Sequence, residues 1–275
     1  MLKILCPTDL TDHTSNSLIY ANDLAKKSDT EIIVLHSFFI PPPLPAGTKV
    51  KSPEDVYHYG QKMLQERCEE FVNQYISSET QSKCIVRRGF VLEEILKVIK
   101  EENIDIIFMN TEGAHGLKEL FPGTITSKII ENVLCPVLVI PENHTFHPLD
   151  DIVYATDMKG NEKENISFAF KFASIFNAKV TFLNISKKLT PKEQEAFKAK
   201  MSEEASVHNY QSIDFVIIES SNVFDALTNF VESNDSKLLI LSTRKRPVYQ
   251  RLFQKSLTRR MAHHAFVPVL AMHKE

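Results

Sequence analysis

The chain has 275 residues, 43% hydrophobic and 24% charged, with a formal net charge of -3. That balance suits one large globular domain or two ordinary ones, and gives no reason to expect nucleic acid or an acidic membrane as partner. No stretch approaches the ~18 apolar residues of a membrane span, and the apolar opening Met1–Pro7 is too short for a signal peptide, so the expected location is the cytoplasm.

The four cysteines, Cys6, Cys68, Cys84 and Cys135, lie in the first half and form no CxxC. They read as buried reduced thiols rather than a metal site or disulfides.

In chain order, Leu2 to Asp9 reads as a buried strand ending on an acidic residue. Ser17 to Lys26 has helical apolar spacing at Leu18, Ile19, Ala21, Leu24 and Ala25. Glu31 to Phe38 is a second strand, and the proline run Pro41 to Pro45 makes an extended loop. A long helix is expected over Pro53 to Ser77, a strand over Lys83 to Arg87 and a helix over Leu92 to Glu101. The strand Ile104 to Met109, a glycine-punctuated loop, a helix to about Val133 and the strand Pro136 to Ile140 complete a unit. Strands alternating with helices indicate a parallel, doubly wound α/β sheet that takes ligands at its carboxyl strand ends.

The pattern then starts again. Asp151 to Asp157 restates Lys3 to Asp9, and Val180 to Asn184 restates Ile32 to His36, both at an offset of 148. Leu252 to Thr258 restates Leu120 to Thr126, and Val267 to Leu270 restates Cys135 to Leu138, both at 132. The second copy has therefore lost 16 residues, which the proline loop and the long helix are expected to have supplied. Two copies of one domain follow, residues 1–141 and 149–275, with a polar linker between them.

The loop from Asn110 to Thr124 carries Gly113, Gly116 and Gly123 between a strand and a helix start. Glycines let the backbone approach a phosphate, and the helix start offers free N–H groups to it. The spacing is too wide for a P-loop, and ordinary turn glycines remain an alternative reading.

Pro7-Thr8-Asp9, Val34-Leu35-His36, the Gly113-x9-Gly123-Thr124 loop and Cys135 to Val139 together resemble the universal stress protein family in its tandem form. The resemblance implies two Rossmann-like domains of the adenine nucleotide alpha hydrolase type, each a five-stranded, mostly parallel sheet flanked by helices. It implies pairing of the last strands, Val137–Ile140 with Val269–Met272, as an intrachain pseudo-dimer, with a homodimer of whole chains possible. Nucleotide-binding members carry Gly-x2-Gly-x9-Gly-Ser/Thr and hold ATP, here with Mg as its natural companion. Asn110 occupies the first glycine position; asparagine tolerates a left-handed backbone better than other non-glycine residues.

Carried over by position, Asp9 meets the adenine or ribose edge, with Thr8 beside it, and Ser37 contacts adenine through its backbone. Gly113, Gly123 and Thr124 hold the phosphates and ribose, with Thr126 close by, and Met109 and Asn110 belong to the same cofactor-binding set. Each has a plainer alternative. Asp9 can cap the following helix; His36 can be a satisfied interior histidine; His115, Lys118 and Glu119 can be solvated.

In the second copy Ser242, Lys245 and Lys255 replace Asn110, Gly113 and Gly123, and no glycine remains. That copy is expected to lose the ATP mode although Asp157 and Ser256 persist. Its loop carries Arg244, Lys245, Arg246, Arg251, Lys255, Arg259 and Arg260, a basic stretch over 244–260 suited to an anionic ligand or an acidic protein. The expected function is a stress-response switch or adaptor that binds ATP in its N-terminal domain. Alternatives are an interaction or ligand-binding module of the same fold without nucleotide, or a weak ATP hydrolase. No catalytic residue and no metal site is assigned, because no paired carboxylates or clear general base accompany the loop.

Overall fold

The structure, a computed structural model, describes residues 1–111, 125–141, 144, 146–157, 161–244 and 267–274. Two compact units divide the chain: residues 1–110 with 123–129, and the remainder.

The first unit begins with β1 (Leu2–Thr8), a 3₁₀ turn (Asp12–Thr14), α1 (Ser15–Ala25) and β2 (Thr30–Phe38). It continues through α2 (Pro53–Tyr75), β3 (Ser82–Arg88), α3 (Val91–Glu102) and β4 (Ile106–Thr111), and α4 (Ile125–Asn132) starts within it. The strands run parallel in the order β3-β2-β1-β4. Ile4, Leu5, Ile32, Ile33 and Ile107 are fully buried, as expected of unbroken apolar runs covered on both faces. The register sets Thr8 beside His36, and His36 beside Val86, so their side chains reach the same sheet end.

Helix α2 starts on a complete capping box. The Ser52 hydroxyl accepts from Asp55 N at 3.2 Å, and the Asp55 carboxylate accepts from Ser52 N at 2.9 Å. Pro53 follows at the first helical position, where its missing N–H costs nothing. The proline loop lies back over this helix at Gly60, where an added Cβ would stand 2.8 Å from Pro41 Cβ.

The second unit contains β5 (Val137–Pro141), β6 (Asp151–Ala155), α5 (Lys163–Phe176), β7 (Lys179–Ser186) and α6 (Pro191–Val207). It closes with β8 (Ile213–Glu219), α7 (Val223–Ser233), β9 (Leu238–Arg244) and β10 (Val269–Lys274). Five strands run parallel in the order β10-β9-β6-β7-β8. β5 adds to β10 in antiparallel sense, Val139 opposite Val269 and Val137 opposite Ala271. The pairing expected for these two strands is therefore present.

The shortening also falls where expected. Helix α6 has 17 residues against 23 in α2, and the loop before it spans residues 187–190 against 39–52. Those two changes supply the missing 16 residues. Helix α1 starts at Ser15, two residues before the apolar spacing suggested, because the preceding 3₁₀ turn feeds directly into it.

Candidate functional site

The chain leaves β1 through a tight, strained turn. Leu10 takes a left-handed backbone with φ of 61°, a conformation that costs an ordinary side chain about 1–2 kcal/mol. Two side chains hold it there. The Thr8 hydroxyl accepts from Leu10 N at 2.9 Å and lies 2.7 Å from the Thr14 hydroxyl. Asp9 Oδ1 accepts from Thr11 N at 3.0 Å and from the Thr11 hydroxyl at 2.6 Å. Asp9 therefore holds the turn that leads towards α1 without capping the helix, whose cap position is Thr14, and it remains exposed at the strand end.

On β2, His36 Nδ1 lies 3.0 Å from the Thr8 carbonyl and donates its proton to it. Burial holds the imidazole below its usual pKa, working against that hydrogen bond and the Asp9 charge. His36 is thus a neutral residue tying two strand ends together. Ser37 follows it, half-buried and level with Arg87 of β3.

Asn110 is the last but one residue of β4, with ordinary strand geometry; the left-handed conformation that its glycine-like position suggested is not used. Its side chain has a task instead. Oδ1 accepts from Ser17 N in the first turn of α1 at 2.9 Å, which fixes the amide's orientation. Its own carbonyl accepts from the Thr126 hydroxyl in α4 at 3.3 Å. Asn110 Nδ2 is buried and has no hydrogen-bond partner among the described residues. A buried donor left unanswered costs about 1–3 kcal/mol, so such a group is poised for an acceptor. Met109, the preceding strand residue, is buried at 7% exposure.

Thr8, Asp9, His36, Asn110 and Thr126 are thereby joined through Thr14, Ser17 and the strand register into one strand-end cluster. Gly113, Gly123 and Thr124 lie outside the described residues, as do His115, Lys118 and Glu119.

The second copy fills the equivalent positions differently. Asn184 replaces His36 and makes the same bond, Nδ2 donating to the Thr156 carbonyl at 2.9 Å. Tyr154, Glu162 and Asn165 stand where the first copy has Cys6, Thr14 and Ser17. The Tyr154 hydroxyl donates to Glu162 at 3.2 Å and lies 2.8 Å from the Ser242 hydroxyl, which also accepts from Asn165 Nδ2 at 3.0 Å. Glu162 is only 3% exposed. Burial, then the Glu162 charge, holds the Tyr154 phenol well above its usual pKa. Ser242 is therefore engaged internally where Asn110 offers a donor, and at the position of His36 the unanswered atom is an acceptor, Asn184 Oδ1. The offset of 148 aligns these residues, but only the folded chain shows that they touch. Asp157 sits exposed at the end of its strand; Ser256 and the basic positions from Lys245 to Arg260 lie outside the described residues.

Repeated α/β halves, each with a polar cluster at the carboxyl ends of its strands, define a tandem doubly wound α/β protein. A universal stress protein family model matches residues 1–141 and 148–273. The chain belongs to the universal stress protein family.

Over 141 residues it is 28% identical to a universal stress protein of Methanocaldococcus jannaschii, spanning 50% of this chain and 81% of that protein. Over 149 residues it is 28% identical to the universal stress protein YxiE of Bacillus subtilis, spanning 50% and 97%. The crystal structure of a universal stress protein from Archaeoglobus fulgidus shares the fold, with a TM-score of 0.79 at 18% identity over 99% of this chain and 98% of that one. Among the described residues no helix is long and apolar enough to cross a membrane, and no cluster of His, Cys, Asp or Glu has the grouping of a metal site.

Proposed function

We propose that the N-terminal copy binds ATP at the carboxyl ends of β1, β2 and β4, and that the protein acts as a nucleotide-dependent switch or adaptor in the stress response. The observation that carries this reading is Asn110. Its carboxamide oxygen is held by Ser17 N, so its nitrogen is aimed, buried and without an acceptor among the described residues. An anionic oxygen is the partner such a donor fits best. The adjoining segment 112–124 contains three glycines and leads into α4, a sequence suited to laying backbone N–H groups against a phosphate.

Asp9 adds an exposed carboxylate that can accept from a ribose hydroxyl or the adenine amino group, and Ser37 lies on the adjacent strand end. Gly113, Gly123, Thr124 and Thr126 hold the phosphates in this reading, with Mg accompanying the triphosphate. In the second copy Ser242 is satisfied internally, the unanswered atom of Asn184 is an acceptor, and no glycine occurs in the loop. Each of these disfavours a phosphate there.

The test is calorimetric titration of ATP into wild type, Asp9→Ala and Gly123→Val. Saturable binding that both substitutions weaken supports the reading. Failure of wild-type protein to bind ATP, together with release of no nucleotide when freshly purified protein is denatured, replaces it with a module that uses the fold without nucleotide.

A further inference from the structure

Two of the four cysteines come together. Helix α2 runs over β3, with Gln61 Nε2 donating to the Val86 carbonyl at 2.8 Å and Gln65 Nε2 to the Cys84 carbonyl at 3.2 Å. One turn beyond Gln65, Cys68 lies buried in the same seam, close enough to Cys84 that each thiol shifts the other's ionisation. Cys68 is fully buried, whereas Cys84 is half-buried on β3, the outermost strand of its unit's order. Cys6 is separate from this pair: it is fully buried in β1 and its thiol faces the Ser17 carbonyl.

We propose that Cys68 and Cys84 form a reversible oxidation site, converted by a peroxide into an intramolecular disulfide that straps α2 to β3. The chemistry divides by exposure. Cys84, the half-buried member, attacks a peroxide oxygen as thiolate; the O–O bond breaks, and with hydrogen peroxide the departing hydroxide takes up the proton the thiol shed, giving a sulfenic acid and one molecule of water. The Cys68 sulfur then attacks the Cys84 sulfur and expels hydroxide, which takes the Cys68 proton and leaves as a second water. The two thiols give up two electrons, and the peroxide accepts them.

The closeness of the thiols supports this order: the Cys68 S–H beside Cys84 favours the Cys84 thiolate and disfavours that of Cys68. The Glu69 carboxylate, next on α2, opposes ionisation of both, which restrains the pair until an oxidant is abundant. The reduced state expected from the sequence is thus the resting state of the pair, although Cys84 is half-buried rather than buried.

The experiment treats the full-length protein with hydrogen peroxide, alkylates it with N-ethylmaleimide under denaturing conditions and weighs it intact. Wild type is expected to fall from four alkylated cysteines to two, with peptide mapping joining Cys68 to Cys84 and dithiothreitol restoring all four. In Cys68→Ser, dimedone is expected to label Cys84. The proposal is overturned if oxidised wild type keeps four alkylatable thiols, if the bridge includes Cys6 or Cys135, or if dimedone leaves Cys84 of Cys68→Ser unlabelled. The wild-type measurement is decisive even if a variant folds poorly.

Discussion

Asn110 uses the two ends of one carboxamide for different purposes: the oxygen closes a bond to the start of α1, and the nitrogen stays in reserve. This separates stability from binding. Asn110→Ala leaves Ser17 N without its acceptor and should cost about 1–3 kcal/mol of folding stability along with ATP affinity. Asn110→Asp keeps an acceptor for Ser17 N but replaces the donor with a carboxylate. It should melt within a few degrees of wild type while ATP binding falls at least about tenfold, read by calorimetry beside a thermal melt. His36 supplies a pH prediction. Its folded pKa lies below the ordinary value of 6.5, so in mild acid the unfolded chain takes up a proton that the native imidazole resists. Stability should therefore fall as pH drops from about 7.5 to 5.5. His36→Asn, which copies Asn184 and can keep the bond to the Thr8 carbonyl, should remove that part of the slope in urea titrations. The sequence could show that His36 ends a strand and plausibly serves the interior. It could not show Asn110 as a tether, because the position reads as a lost glycine until Ser17 is brought beside it.

Helix α2 and the loop leading to it show how an element's neighbours override its propensities. Alanine in place of a mid-helix glycine ordinarily gains about 1 kcal/mol. At Gly60 the new Cβ would sit 2.8 Å from Pro41 Cβ, a stiff ring atom with little room to yield. Gly60→Ala should lower the melting temperature rather than raise it, and should increase proteolytic cutting within residues 39–52 as the loop lifts. The existence and type of these elements were legible because apolar spacing and proline act locally. Gly60 was not legible as a contact residue, since its meaning depends on a loop some twenty residues earlier folding back. The same limit hid Tyr154, Glu162, Asn165 and Ser242, whose side chains meet across 88 residues of sequence between Tyr154 and Ser242.

At the scale of the whole molecule, duplication was the most legible feature, because two offsets recur over several strands and the difference between them dates the shortening to one region. What each copy does with its strand ends is a matter of side-chain chemistry rather than pattern. A donor in reserve in the first copy and an internally bonded Tyr154–Glu162–Ser242 network in the second predict unequal occupancy under the proposed function. Equilibrium dialysis should give one ATP per chain, and Ser242→Ala should leave that stoichiometry unchanged. A value of two would show that glycine is dispensable in the second loop.

The antiparallel seam between β5 and β10 also bears on how the protein is made. Residues 142–268 must leave the ribosome after β5 and before the strand that covers it, so β5 waits with a bare hydrogen-bonding edge through most of synthesis. Stalled or truncated chains lacking β10 would expose both β5 and β9, giving them two adhesive borders, and such fragments should be the ones that chaperones hold and that clump when chaperones are scarce.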